Sequence, residues 1–112
     1  MKKIEAIIRP EKLEELREAL DVKGLSKMTV TDVKGRGAQK GVLLEWRVGE
    51  YRVEFMPKSK VELVVDDKHV EDVISTIQNV CFTGNVGDGK IFVSPVEDVI
   101  RIRTKERGIS AL

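Results

Sequence analysis

Residues 3–20 read KIEAIIRPEKLEELREAL, and residues 60–77 read KVELVVDDKHVEDVISTI. Laid over one another at an offset of 57 residues, they are two copies of one pattern. Ile4 meets Val61, Glu5 meets Glu62, and the pair Ile7 and Ile8 meets Val64 and Val65. Leu13, Leu16 and Leu20 meet Val70, Val73 and Ile77. Each copy opens with a β-branched run of strand length and then changes to helical spacing. Pro10 suits the first turn of the first helix, and Asp67 suits the N-cap of the second.

Each helical stretch leads into another strand candidate. KMTVTDVK at residues 27–34 follows the turn residue Gly24, and KIFVSP at Lys90–Pro95 follows a glycine-rich loop. The pattern is βαβ twice over. It predicts an α+β fold, a ferredoxin-like sandwich with a four-stranded antiparallel sheet and two helices on one face. Alternate strand positions such as Ile7 and Val64 then lie on an uncovered, largely apolar face. That predicts a closed oligomer of identical chains, against the alternative of a monomer with a ligand or tail on that face. Between the halves, residues 36–56 form a long connection holding Trp46 and Tyr51, the chain's only Trp and Tyr. Such a connection reads as functional; the plainer reading is a two-stranded hairpin arm. Residues 96–112 offer a short strand, VIRIRT at 99–104, and a polar end.

A chain of 112 residues with 41% hydrophobic and 35% charged residues fits a single globular domain. The net charge of +1 implies no bulk attraction to nucleic acid or anionic lipid. One cysteine, Cys81, allows no intrachain disulfide, which fits a cytoplasmic setting. No apolar run approaches the ~20 residues of a membrane span, so any membrane role is docking rather than insertion.

The stretch TGNVGDGK at residues 83–90 carries the strongest chemical signal. Glycines let backbone N–H groups converge on an anion, and Lys90 adds a positive charge. Residues 84–90 match G-x-x-x-x-G-K, but Ile91 stands where a P-loop hydroxyl would bind magnesium, and a strand rather than a helix follows. A phosphate cradle fits better than a hydrolase site; a simple glycine turn is the plainer reading. Arg101 and Arg103 alternate as on one strand face, suiting a polyphosphate. GRGAQKG at residues 35–41 is flexible and basic; the Gln39 carbonyl is a candidate ligand for a hard cation, and Lys58 for a carboxylate. Catalytic groups are sparse. His69 is the only histidine, Cys81 has no second cysteine as metal partner, and Asp66 and Asp67 read as capping groups. A nucleic-acid-binding sheet would need aromatics on its central strands, and the strands expected at the centre, residues 3–8 and 90–95, offer only Phe92.

These motifs, in this order along nearly the whole chain, resemble the PII signal-transduction proteins (GlnB/GlnK). The most specific stretches are residues 83–95, 99–104, 28–35 and the 35–41 mouth, which looks closest to archaeal GlnK-like members. The resemblance implies one PII-type domain over residues 1–112, assembled as a homotrimer and not an enzyme. It implies ATP or ADP between subunits, with Gly87, Asp88, Gly89, Lys90, Arg101 and Arg103 at the phosphates. Thr29 and Val64 would lie near the nucleoside, with Gly37 closing over it. With Mg2+ and ATP bound, 2-oxoglutarate would join, with Gln39 as metal ligand, Lys58 facing a carboxylate and the Gly41 backbone at the border. The 36–56 loop would then act on a partner through Trp46 and Arg47. The partner implied is an ammonium transporter, with glutamine synthetase or nitrogenase as alternatives. Nucleotide hydrolysis, motivated by the near-match to a P-loop, is a remoter reading. Tyr51 falls where the family often places its modifiable tyrosine. Ala38 replaces an arginine that many bacterial members direct at the terminal phosphate. The chain would be cytoplasmic, reaching a membrane only through a transporter.

Overall fold

The computed structural model describes residues 1–37, 42–46, 49–53 and 55–112, with the backbone alone at 42–46 and 49–53. Strand β1 (Lys2–Ile8) is followed by a 3-10 turn at Pro10–Lys12 and helix α1 (Leu13–Val22). Strand β2 (Thr29–Gly35) precedes a hairpin of β3 (Val42–Trp46) and β4 (Gly49–Val53). Then come β5 (Met56–Val65), a 3-10 turn at Asp67–His69, helix α2 (Val70–Cys81) and β6 (Lys90–Pro95). The main sheet is antiparallel in the order β2-β5-β1-β6. This is the ferredoxin-like double βαβ arrangement that the repeat predicts.

Period-two alternation decides which face is core. Ile4, Ala6 and Ile8 of β1 and Val61, Leu63 and Val65 of β5 are buried, together with Leu16 and Leu20 of α1 and Val73 and Ile77 of α2. These are the positions at which the two copies overlay, so one repeated pattern builds both halves of one core.

Strand β6, with Phe92, lies at an edge of this sheet rather than at its centre, because β5 takes the other central place beside β1. Four further expectations need correction. The face away from the helices is not largely apolar. Register places Glu5 directly opposite Glu62, a like-charge pair that would be unfavourable alone. Lys3 offsets it, with Nζ 2.7 Å from Glu62 and 3.9 Å from Glu5, and Lys60 adds a contact of 3.5 Å to Glu62. Ile7 and Val64 sit on that face beside this charged group and are half-buried. Second, β5 begins at Met56 rather than near residue 60. Pro57 is tolerated there because it pairs only with Lys34 of β2, before β1 joins the other side at Ser59. Third, Asp67 does not cap α2. Its carboxylate lies 3.0 Å from the Met1 amine, and Asp66 precedes the 3-10 turn without a side-chain cap bond.

Fourth, residues 99–104 are not a strand. The chain doubles back so that Ile100 bridges Arg107, Lys105 N–H donates to the Arg101 carbonyl at 2.8 Å, and Lys105 adopts φ +64°. Alternating β-branched residues favour a strand only where a neighbour can pair with them, and here the segment pairs across its own turn with residues 106–108. The long connection contains the β3–β4 hairpin, which is its plainer reading. No helix among the described residues is long and apolar enough to cross a membrane.

Candidate functional site: the glycine loop and the cleft beneath it

The loop at 83–90 is organised by one of its own side chains. One Asp88 carboxylate oxygen accepts the backbone N–H groups of Thr83 and Gly84 at 2.8 and 3.0 Å. The other accepts the Thr83 hydroxyl and Arg9 Nε, the latter at 3.2 Å. The Thr83 hydroxyl contact is the first of several hydrogen bonds that hold the Asp88 carboxyl well below the usual carboxylate range. Arg9 also donates Nη2 to the Val86 carbonyl at 2.9 Å. Gly84, Gly87 and Gly89 all have positive φ, and a Cβ at Gly89 would fall 1.7 Å from the Ile7 carbonyl oxygen. Only glycine lets the loop enter β6 so close to β1.

Lys58, buried on β5, donates Nζ to the Gly87 carbonyl at 2.7 Å. Burial, and then the neighbouring Arg9 charge, pushes its ammonium below the ordinary lysine value. Its stem runs against Gly35, where a Cβ would stand 3.3 Å from Lys58 Cγ. A cleft of about 510 Å³ lies between these elements. Its walls include Gly87, Gly89 and Lys90 from the loop, Lys58, and Gly35, Arg36 and Gly37 from the base of the 36–56 connection. The structure thus joins the phosphate-loop motif to Lys58 and Gly37.

Other predicted residues lie elsewhere. Thr29 and Val64 line a separate groove of about 550 Å³ with Lys3 and Glu62. Val64 lies six positions beyond Lys58 on β5, a span of roughly 20 Å. Arg101 contacts Glu106 at 3.2 Å and donates to the Leu112 carbonyl at 3.1 Å. Arg103 is exposed on the turn. The common strand face expected for this pair is absent, because the segment is a turn. Gln39, Gly41 and Arg47 lie outside the described residues, as do the side chains of Trp46 and Tyr51; Tyr51 pairs in register with Leu44.

Sequence reasoning missed Arg9. The available signal was an acidic residue inside a turn suited to an anion, because Asp88 needs a counter-charge there. Cys81 is buried, and burial raises its thiol to about 11, so it is not poised as a nucleophile. Among the described residues no group of three or more His, Cys, Asp or Glu side chains is placed to hold a metal ion. Lys90 opens a strand, so the helix N-terminus that a P-loop requires is missing.

The family model for "Nitrogen regulatory protein P-II" matches residues 1–106. A protein of that name from Rhizobium meliloti is 57% identical over 112 residues, covering all of both chains. Nitrogen regulatory protein P-II from Nostoc punctiforme is 54% identical, also over the whole of both chains. Nitrogen regulatory protein P-II 2 from Methanothermobacter thermautotrophicus is 52% identical, covering all of this chain and 97% of the relative. With a match of this extent, the chain belongs to the P-II nitrogen regulatory proteins, which are signalling regulators rather than enzymes.

Proposed function

We propose that the chain senses ATP or ADP together with 2-oxoglutarate and passes the result to a partner through residues 36–56. The observation that carries this reading is the cleft itself. It sets the glycine loop, Lys58 and Lys90 against Gly35, Arg36 and Gly37, where the long connection leaves the sheet. Polyphosphate suits such a wall: glycine backbone permits close approach, and the lysines supply charge-assisted contacts. A ligand bound there would touch the root of the signalling arm. It would favour one posture of that arm only by its differential affinity for the two.

The separation of Thr29 and Val64 from the loop supports a site shared between chains. One nucleotide that met both ends of β5 would have to span the sheet. A second copy could instead bring its own Thr29, Val64, Arg101 and Arg103 to the first copy's loop. The homotrimer rests on family membership and on this division of the site, since the open sheet face is charged. Magnesium would accompany ATP, with Gln39 as its proposed ligand and Gly41 beside the 2-oxoglutarate. Lys58, already committed to a carbonyl oxygen, is the group that would exchange to a carboxylate. An ammonium transporter is the partner we favour, engaged through Trp46 and Arg47, with Tyr51 a candidate for modification. Glutamine synthetase or nitrogenase would use the same arm.

Calorimetry tests the reading. 2-Oxoglutarate should bind when MgATP is present and not without it; equal binding in both conditions would refute the coupling. Lys90→Ala should weaken ATP binding roughly 10- to 150-fold, as expected for a lost charge-assisted phosphate contact. An unchanged dissociation constant would remove Lys90 from the site.

A further inference from the structure

We propose that Arg9 is a positioning residue for phosphate binding, setting the 83–90 loop in its binding shape through Asp88. The proposal rests on the nucleotide reading above and adds to it a residue that lies outside the cleft. Arg9 follows β1 and precedes Pro10, in extended backbone with φ −64° and ψ 136°. The strand on one side and the proline ring on the other fix where its side chain starts. The side chain is only 18% exposed and bridges to two points of the loop, the Asp88 carboxylate and the Val86 carbonyl.

The loop needs such a tie. Three of its residues are glycines at positive φ, a composition that gives little intrinsic preference for one conformation. Its shape is therefore imposed by side chains. Asp88 gathers the Thr83 and Gly84 N–H groups from within. Arg9 and Lys58 hold it from outside. Asp88 also brings a negative charge to a loop that must receive a more negative ligand. A guanidinium against that carboxylate offsets the repulsion and fixes the carboxylate's orientation. Lys58 lines the cleft and Arg9 does not. Lys58 is thus placed to meet ligand, whereas Arg9 acts through Asp88.

A double-mutant cycle on the full chain tests this, with ATP as the probe. Wild type, Arg9→Gln, Asp88→Asn and the double variant are titrated by calorimetry, and hydrogen exchange is followed at the Thr83 and Gly84 amides. If wild type itself fails to bind ATP, the nucleotide reading falls, and with it the premise here. If it binds, Arg9→Gln should weaken ATP roughly tenfold or more and speed exchange at both amides. The double variant should then bind no more weakly than the weaker-binding of the two single variants, because both changes break one linkage. Wild-type affinity in Arg9→Gln would overturn the proposal. So would losses that multiply in the double variant, since these would mean that Arg9 meets the ligand independently of Asp88. Should Arg9→Gln not fold, Arg9→Lys replaces it throughout. That variant retains the charge but not the two-point fork, so it should show a smaller loss with the same non-additivity; full affinity would count against the proposal.

Discussion

The two helix-to-strand connections, residues 23–28 and 82–89, do the same topological work by different means. The first turns on its own backbone, with exposed side-chain contacts added from Lys23 to Asp72, Ser26 to Asp21 and Lys27 to Leu112. Lys23 and Gly24 N–H groups return to Leu20 and Asp21 at 3.1 and 2.9 Å, Leu25 N–H returns to Leu20 at 2.9 Å, and Gly24 takes φ +70° in open space. This is a common helix ending whose turn is formed by local backbone hydrogen bonds. The second is closed by a carboxylate inside the loop, a guanidinium from the end of β1 and a lysine from β5. A turn that only connects can be local. A loop that must hold a ligand-ready shape is tied to distant parts of the chain.

That contrast can be broken at its glycines. Gly89→Ala should have the largest effect, about 3 kcal/mol or more of lost stability in denaturant unfolding. It combines φ +105° with a Cβ 1.7 Å from the Ile7 carbonyl oxygen. Gly24→Ala meets no neighbour and carries backbone strain alone, so about 1 kcal/mol is expected. Equal losses at the two sites would mean that the close approach of Gly89 to β1 is not what restricts it.

A smaller and more local effect is expected from protonating Asp88. Its pKa is depressed in the folded chain, so its contribution is complete above the unfolded value of ~3.9 and is lost as pH falls through the folded value. The Asp88 carboxyl resonance should therefore titrate below the ordinary aspartate range. Exchange protection at Thr83 and Gly84 should persist down to that same low pH, while protection at Gly24 stays indifferent to it. A midpoint near 4 would show that the hydrogen-bonded cluster does not form in solution.

Much of this architecture was legible because its cause is local and repeated. The overlay of residues 3–20 on 60–77 identifies both central strands and both helices, and KIFVSP marks β6 at its observed bounds. The glycines at 84, 87 and 89 announced a tight loop able to approach another backbone. What was illegible depended on distant partners. Nothing near Arg9 in sequence says that it reaches Asp88. Nothing near Lys58 says that a loop folds over it. VIRIRT alternates as a strand should, yet whether a strand forms depends on a neighbour that the alternation does not encode. The open face was misjudged for a related reason: Ile7 and Val64 caught attention, while Lys3, Glu5, Lys60 and Glu62 at equivalent positions form the charged group that dominates it.

The central claim is that the Asp88-organised loop receives nucleotide phosphate and that the base of the 36–56 connection responds. The most direct measurement is a MgATP titration of the isotope-labelled full chain, followed at backbone amides. The account predicts that Gly87, Gly89 and Lys90 shift together with Gly35 and Gly37, along one saturation curve, and that Lys90→Ala moves that curve to higher ATP. Saturation with Gly87, Gly89 and Lys90 unmoved would contradict it.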